Sequence, residues 1–174
     1  MKIFTETPRL ILREVTHDDI KGMFELDSDP EVHRYLGNLP ITRIEEAKNI
    51  IDYIRLQYEK NGIGRWAVEL KETGEFLGWC GMKFIDDIEF DGQKYFHDVG
   101  YRFIRRYWGK GYGYESAQAC FDYAFDTMKL DKLVGLAEVE NIGSNKILSK
   151  IGLKFIKEFE FQQTLCNWYE KTKG

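Results

Sequence analysis

Hydrophobic and polar positions along this chain repeat with two different periods, and the switches between them mark out its elements. Ile44, Ala47, Ile51, Ile54 and Tyr58 fall at spacings of three and four, which predicts a long amphipathic helix ended by Asn61-Gly62. Thr42-x-x-Glu45 supplies a capping box at its start. After Gly64 the period shortens to two. Residues 66–70 and 76–85 read as a hairpin around Glu72-Thr73-Gly74-Glu75, and residues 95–104 make a third strand beyond a polar connection with Asp91-Gly92 at its tip. From 114 to 129 the helical period returns, with Ala117, Cys120, Phe121, Ala124, Phe125 and Met128 in one apolar stripe that is core.

The flanks are shorter. Residues 9–15 are a strand after Pro8, and Thr16-His17-Asp18-Asp19 caps a short helix to about residue 27. Another helical turn covers 30–35. Beyond the 114–129 helix come a strand (132–139), a short helix (141–151) stopped by Gly152, and two closing strands (153–161 and 164–171). The order is βααα-βββ-α-β-α-ββ. A helix crosses from the third middle strand to the next, so the sheet is mixed and the fold class is α/β or α+β.

Between strand 95–104 and helix 114–129 lies Arg105-Arg106-Tyr107-Trp108-Gly109-Lys110-Gly111-Tyr112-Gly113. Glycines at alternate positions let the backbone turn tightly and leave its N–H groups uncovered. At the start of a helix such groups suit anionic oxygens, and Arg105, Arg106 and Lys110 add charge. Lys110 is followed by Gly111, which excludes a Walker A loop. Tyr114 stands where a dinucleotide fingerprint needs its third glycine.

Composition narrows the field. The 174 residues suit a single domain over 1–174, and 43% hydrophobic content argues for a folded core. A net charge of −4 gives no reason to expect nucleic-acid binding, so the basic loop suits a small anion. No apolar run approaches a membrane span, and the N-terminus lacks a secretory h-region. Cys80, Cys120 and Cys166 are odd in number and far apart, with no zinc or disulfide pattern; the expectation is a cytoplasmic protein without metal.

Read from Arg106 to Gly111, the loop fits R-x-x-G-x-G, which resembles the pyrophosphate motif of the GNAT superfamily of acetyl-CoA-dependent N-acyltransferases. The opening TPRLILREVTHDDI, the run DVGYRFIRRYWGKGYGYES and the stretch NIGSNKILSKIGLKF are similar, in order, to the subgroup of ribosomal-protein N-terminal (RimJ/RimL-like) acetyltransferases. The resemblance spans nearly the whole chain. It implies the GNAT fold, with a central mixed, mostly antiparallel twisted sheet flanked by helices, and transfer of acetyl from acetyl-CoA to a primary amine. Protein N-termini, amino acids, polyamines and aminoglycosides are all open as acceptors, and homodimers are common among relatives.

By the same resemblance, the N–H groups from Trp108 to Gly113 (Trp108, Gly109, Lys110, Gly111, Tyr112, Gly113), with the side chains of Arg106 and Lys110, would hold the diphosphate. Val99, Gly100 and Tyr101 would lie along the pantetheine arm, with Gly100 permitting close approach or a bulge. Asp98 stands where the subgroup often carries a carboxylate. Asp98, adjacent His97, or water could be the base, and strand alternation lets only one of the two side chains face the site. Many members use a tyrosine seven residues after the motif's asparagine to protonate the thiolate. Here that residue is Leu148, which leaves Ser144, three residues after Asn141, as the remaining donor. Glu25, Asp29, Glu31, His33, Tyr35 and Trp66 are candidates for contact with the acceptor. A CoA-binding module without turnover is the rival reading.

Overall fold

The computed structural model covers residues 1–174 and is built on one eight-stranded sheet flanked by helices. Its strands are β1 (Ile3–Glu6), β2 (Leu10–Glu14), β3 (Arg65–Leu70), β4 (Phe76–Ile85), β5 (Phe96–Phe103), β6 (Lys132–Glu138), β7 (Lys154–Phe161) and β8 (Thr164–Thr172). They lie in the order β1-β2-β3-β4-β5-β6-β8-β7. Every neighbouring pair is antiparallel except β5 and β6, which α3 (Tyr112–Asp122) connects. The other helices are α1 (Ile20–Asp27), α2 (Ile44–Asn61) and α4 (Ile142–Ile151).

The element order agrees with the hydrophobic pattern, with local corrections. β1 is an addition ahead of the expected first strand: its four residues, at most partly buried, give no periodicity to read. The box capping α2 sits one residue later than expected. Glu46, not Glu45, turns its carboxylate back to the N–H groups of Thr42 and Arg43. Gly62, at φ 71°, ends the helix in the left-handed conformation open to glycine. α3 starts at Tyr112, two residues earlier than the expected start at Tyr114, and runs into a π-helical turn at Tyr123–Thr127. The apolar stripe is core, as expected: Ala117, Cys120 and Ala124 are fully buried.

The consequential feature lies between β5 and β6. β4 and β5 pair continuously over eight residues, from Gly78–Phe103 to Ile85–Phe96. β5 and β6 share only two rungs, Asp98–Val134 and Val99–Gly135, after which they part. Gly100 to Phe103 on one side and Leu136 to Glu138 on the other therefore lack a strand partner across this seam. Gly135 lets α4 seat beside it: a Cβ there would meet Leu148 Cδ2 at 2.7 Å and Leu153 Cδ1 at 2.8 Å.

Candidate active site

A cleft of about 730 Å³ occupies the seam, lined by Asp98, Val99, Gly100, Tyr101 and Arg102 of β5 and by Leu136, Ala137 and Glu138 of β6. Asn141, Ser144 and Leu148 close it from α4. Alternation along β5 divides its side chains between two faces. Tyr101 faces α3 and α4, where its ring edge lies 3.5 Å from the Cβ position of Gly113 and its hydroxyl lies 3.0 Å from Ser144 Oγ. Asp98, Gly100 and Arg102 face the other way, toward α1, with Arg102 paired to Asp27.

On the first face stands the glycine loop. The 3₁₀ turn Arg105–Tyr107 uses the Trp108 N–H, which donates to Arg105 O, so Trp108 is not part of an open cradle. The N–H groups of Gly109, Lys110 and Gly111 have no partner within the chain, and those of Tyr112 and Gly113 open α3, where no intrahelical acceptor exists. Gly109 (φ 73°) and Gly111 (φ 84°) hold the left-handed conformation that aims these groups together. The loop's cations are mostly committed elsewhere. Arg105 pairs with Asp29, and Arg106 with Glu25 at 2.8 Å, so the Arg106 guanidinium is not brought to the cradle. Lys110 has no carboxylate partner and remains the free cation. Arg9, which the sequence reading passed over, clamps the loop: Nη1 donates to Lys110 O at 3.0 Å while Nε donates to Glu115 at 2.7 Å. Trp108 is half exposed at the lip, its indole donating to Phe103 O.

α4 is fixed against the seam by polar contacts. Asn141 caps it by accepting from the Ser144 N–H at 3.2 Å, so its side chain is a cap and its contribution is to place Ser144. Asn145 ties the same turn to the sheet. Its Nδ2 donates to Glu138 O and Asn141 O, and its Oδ1 accepts from Asn167 Nδ2 and the Tyr169 hydroxyl. Leu148 is buried on Gly135, a packing residue with no proton to give. Two hydroxyls nonetheless meet here, Ser144 and Tyr101. Burial pushes the Tyr101 phenol above its ordinary 10.0, and the Ser144 contact offsets part of this.

On the second face Asp98 is 8% exposed and has Arg65 Nη2 3.0 Å from Oδ1. The Arg65 guanidinium lies over the Gly100 and Gly81 backbones and also donates to Gly81 O and Asp98 O. The β4–β5 register carries no bulge at Gly100; the glycine makes room for this guanidinium. Trp79 stands between two cations, with Arg65 Cζ and Arg102 Cζ each 5.1 Å from its ring centre. His97 does not line the cleft; it packs on Phe84, and burial lowers it below its ordinary 6.5.

Of the residues expected to meet an acceptor, Tyr35 lines the cleft, and His33 donates toward buried Asp27 at 3.0 Å just behind it. Glu25 and Asp29 are spent on Arg106 and Arg105. Trp66 is excluded: it is fully buried, stacked on Phe4 and edge-on to Tyr123. Arg65, Trp79 and Arg102 were missed because nothing in their spacing marks them; only strand register brings them together.

Residues 9–154 match the family model described as an acetyltransferase (GNAT) domain. An "Uncharacterized N-acetyltransferase p20" of Bacillus licheniformis is 34% identical over 168 residues, 97% of this chain and 88% of that protein. An acetyltransferase (GNAT family) from Bacillus anthracis shares the fold at TM-score 0.78 and 24% identity, covering 99% of this chain and 98% of its own. A ribosomal L7/L12 alpha-N-protein acetyltransferase, solved with coenzyme A, superposes at TM-score 0.78 with 16% identity, over 98% of each chain.

Proposed function

This chain belongs to the GNAT acetyltransferase family, and we propose that it moves acetyl from acetyl-CoA to a primary amine by direct attack on the thioester. The observation that carries the proposal is the junction of two unfilled sets of backbone groups. The free N–H groups of Gly109 to Gly111 beside Lys110 fit a diphosphate, and the unpaired β5 edge past Val99 fits an amide-bearing arm. Acetyl-CoA supplies an acyl group already activated as a thioester.

The chain's own residues have three tasks. Gly109 to Gly113 and Lys110 bind the diphosphate. Val99, Gly100 and Tyr101 line the arm, with Asn141 setting the helix turn that presents Ser144 to its end. Asp98, at the edge of the acceptor face, takes the proton the ammonium must lose, directly or through water. Ser144 donates a hydrogen bond toward the departing sulfur, its hydroxyl oriented by Tyr101 3.0 Å away. This pair answers the absence of a tyrosine at Leu148 and favours turnover over a silent CoA-binding module. The RimJ/RimL-like subgroup makes a protein N-terminus one candidate acceptor.

The test is calorimetric binding of acetyl-CoA, CoA and ATP, followed by an amine panel with a free-thiol readout. Tight acetyl-CoA binding, none for ATP, and thiol release with one amine class is the expected result. CoA binding with no release for any amine would favour the module without turnover. No binding would overturn the account.

A further inference from the structure

The acceptor face holds an open acceptor at one end, an open donor at the other and an aromatic surface between. Arg65 donates through Nη1 to Gly81 O and Asp98 O, and its Nη2 stands 3.0 Å from Asp98 Oδ1 as an ion pair outside hydrogen-bond geometry. The Asp98 carboxylate is thus charge-paired but short of hydrogen bonds, with Oδ1 buried and accepting none. Arg102 is spent on one side only: Nη1 is paired with Asp27 Oδ1, while Nη2 has no bond and Nε is buried without one. Asp27 also takes a bond from His33 Nε2 at 3.0 Å. Neutralising Asp27 therefore does not account for the whole guanidinium fork. Arg102 lines the cleft beside Trp79, with Nη2 as the donor left for a ligand.

From these groups we propose that the amine acceptor also carries a carboxylate, separated from the amine by several bonds and bound by Arg102 beside the Trp79 indole. This rests on the acetyl-transfer reading for which end of the ligand reacts. An ammonium set at Asp98 and a carboxylate set at Arg102 complete the two half-used groups with charge-assisted hydrogen bonds. The span follows from the strand. Asp98 and Arg102 are four residues apart on one face of β5, roughly 13 Å between Cα atoms. The guanidinium carbons of Arg65 and Arg102 are at most twice 5.1 Å apart across the shared ring. An α-amino group beside its own carboxylate is too compact to reach both. A polycation is disfavoured, since Arg34, Arg65 and Arg102 all line this cleft. Its carboxylates other than Asp98, Glu138 and Glu140, lie on the far side of the seam, at the end of β6.

Calorimetry in the presence of CoA, which has no acetyl to transfer, tests this without turnover. The probes are glycine, 4-aminobutyrate and 6-aminohexanoate, their counterparts without carboxylate (methylamine, propylamine and pentylamine), and spermidine. The expected result is about ten-fold or more tighter binding of 6-aminohexanoate than of pentylamine, glycine and spermidine. In Arg102→Gln that preference is expected to vanish while CoA affinity is kept. If Gln leaves Asp27 unpaired and the chain unfolds, Arg102→Lys keeps a charge on Asp27, removes the fork, and takes the same comparison. Equal binding of 6-aminohexanoate and pentylamine, a preference for spermidine, or binding of none of the probes would overturn the proposal. The same amines with acetyl-CoA then separate the two readings. Thiol release indifferent to the carboxylate sinks this inference and spares acetyl transfer. Carboxylate-dependent binding without release does the reverse.

Discussion

Replacing Gly109 with alanine should cost CoA affinity and leave folding stability almost untouched. Gly109 sits at φ 73°, and a Cβ built on it meets no atom within 4 Å, so the penalty is conformational and not steric. An L-residue in the left-handed region costs roughly 1–2 kcal/mol. In the free protein the loop is held to that conformation only loosely, because the N–H groups of Gly109, Lys110 and Gly111 make no bond within the chain and the Arg9 clamp on Lys110 O is an exposed one. Alanine can relax there at the cost of at most that one exposed hydrogen bond. Binding must then restore the strained geometry, and the full ~1–2 kcal/mol appears as a five- to thirty-fold rise in Kd. Asparagine tolerates the left-handed region better than alanine, so Gly109→Asn should fall between the two. Titration calorimetry with CoA and urea unfolding of each variant measure both quantities. An alanine variant within two-fold of the parent, or an asparagine variant weaker than alanine, would refute the reasoning.

Ser144→Ala should lower kcat by about ten-fold with little change in KM, and Tyr101→Phe should lower it less, since it removes only the group that orients Ser144. The double variant should match Ser144→Ala alone, and steady-state thiol release checks this. At Asp27 burial works to raise the pKa, but the His33 hydrogen bond and the Arg102 ion pair outweigh it and hold the carboxylate below 3.8. Its contribution is thus present above pH 3.8 and lost as pH falls through the lowered value; Asp27→Asn should flatten the acid limb of a stability–pH curve there. Gly135→Ala should destabilise by about 1–3 kcal/mol through overpacking against Leu148 and Leu153, and should displace α4; denaturant midpoints and activity report the two effects.

The glycine loop, the hairpin and the α3 stripe were legible because each is written in neighbouring residues. What escaped depends on partners distant in sequence. Arg106 looked like a ligand for phosphate, yet Glu25, 81 positions away, claims it. Arg9 looked like a strand residue, yet it holds Lys110 O and Glu115. Trp66 looked like a candidate for acceptor contact, whereas the arrival of Phe4 and Tyr123 against its ring makes it core. The choice between His97 and Asp98 needed the pleat: strand alternation says that one faces the cleft, and only the register says that it is Asp98. The acceptor face was invisible for the same reason, being assembled from β3, β4 and β5 at once.

The two-rung junction of β5 and β6 also bears on how such a protein can change over generations. Most residues inside a sheet answer to two neighbours, so a substitution there risks the register of everything beside it. Gly100 to Phe103 and Leu136 to Glu138 answer to only one. The edge that meets the ligand is thereby released from the rules that govern the rest of the sheet. New specificities can be tried along it without renegotiating the fold.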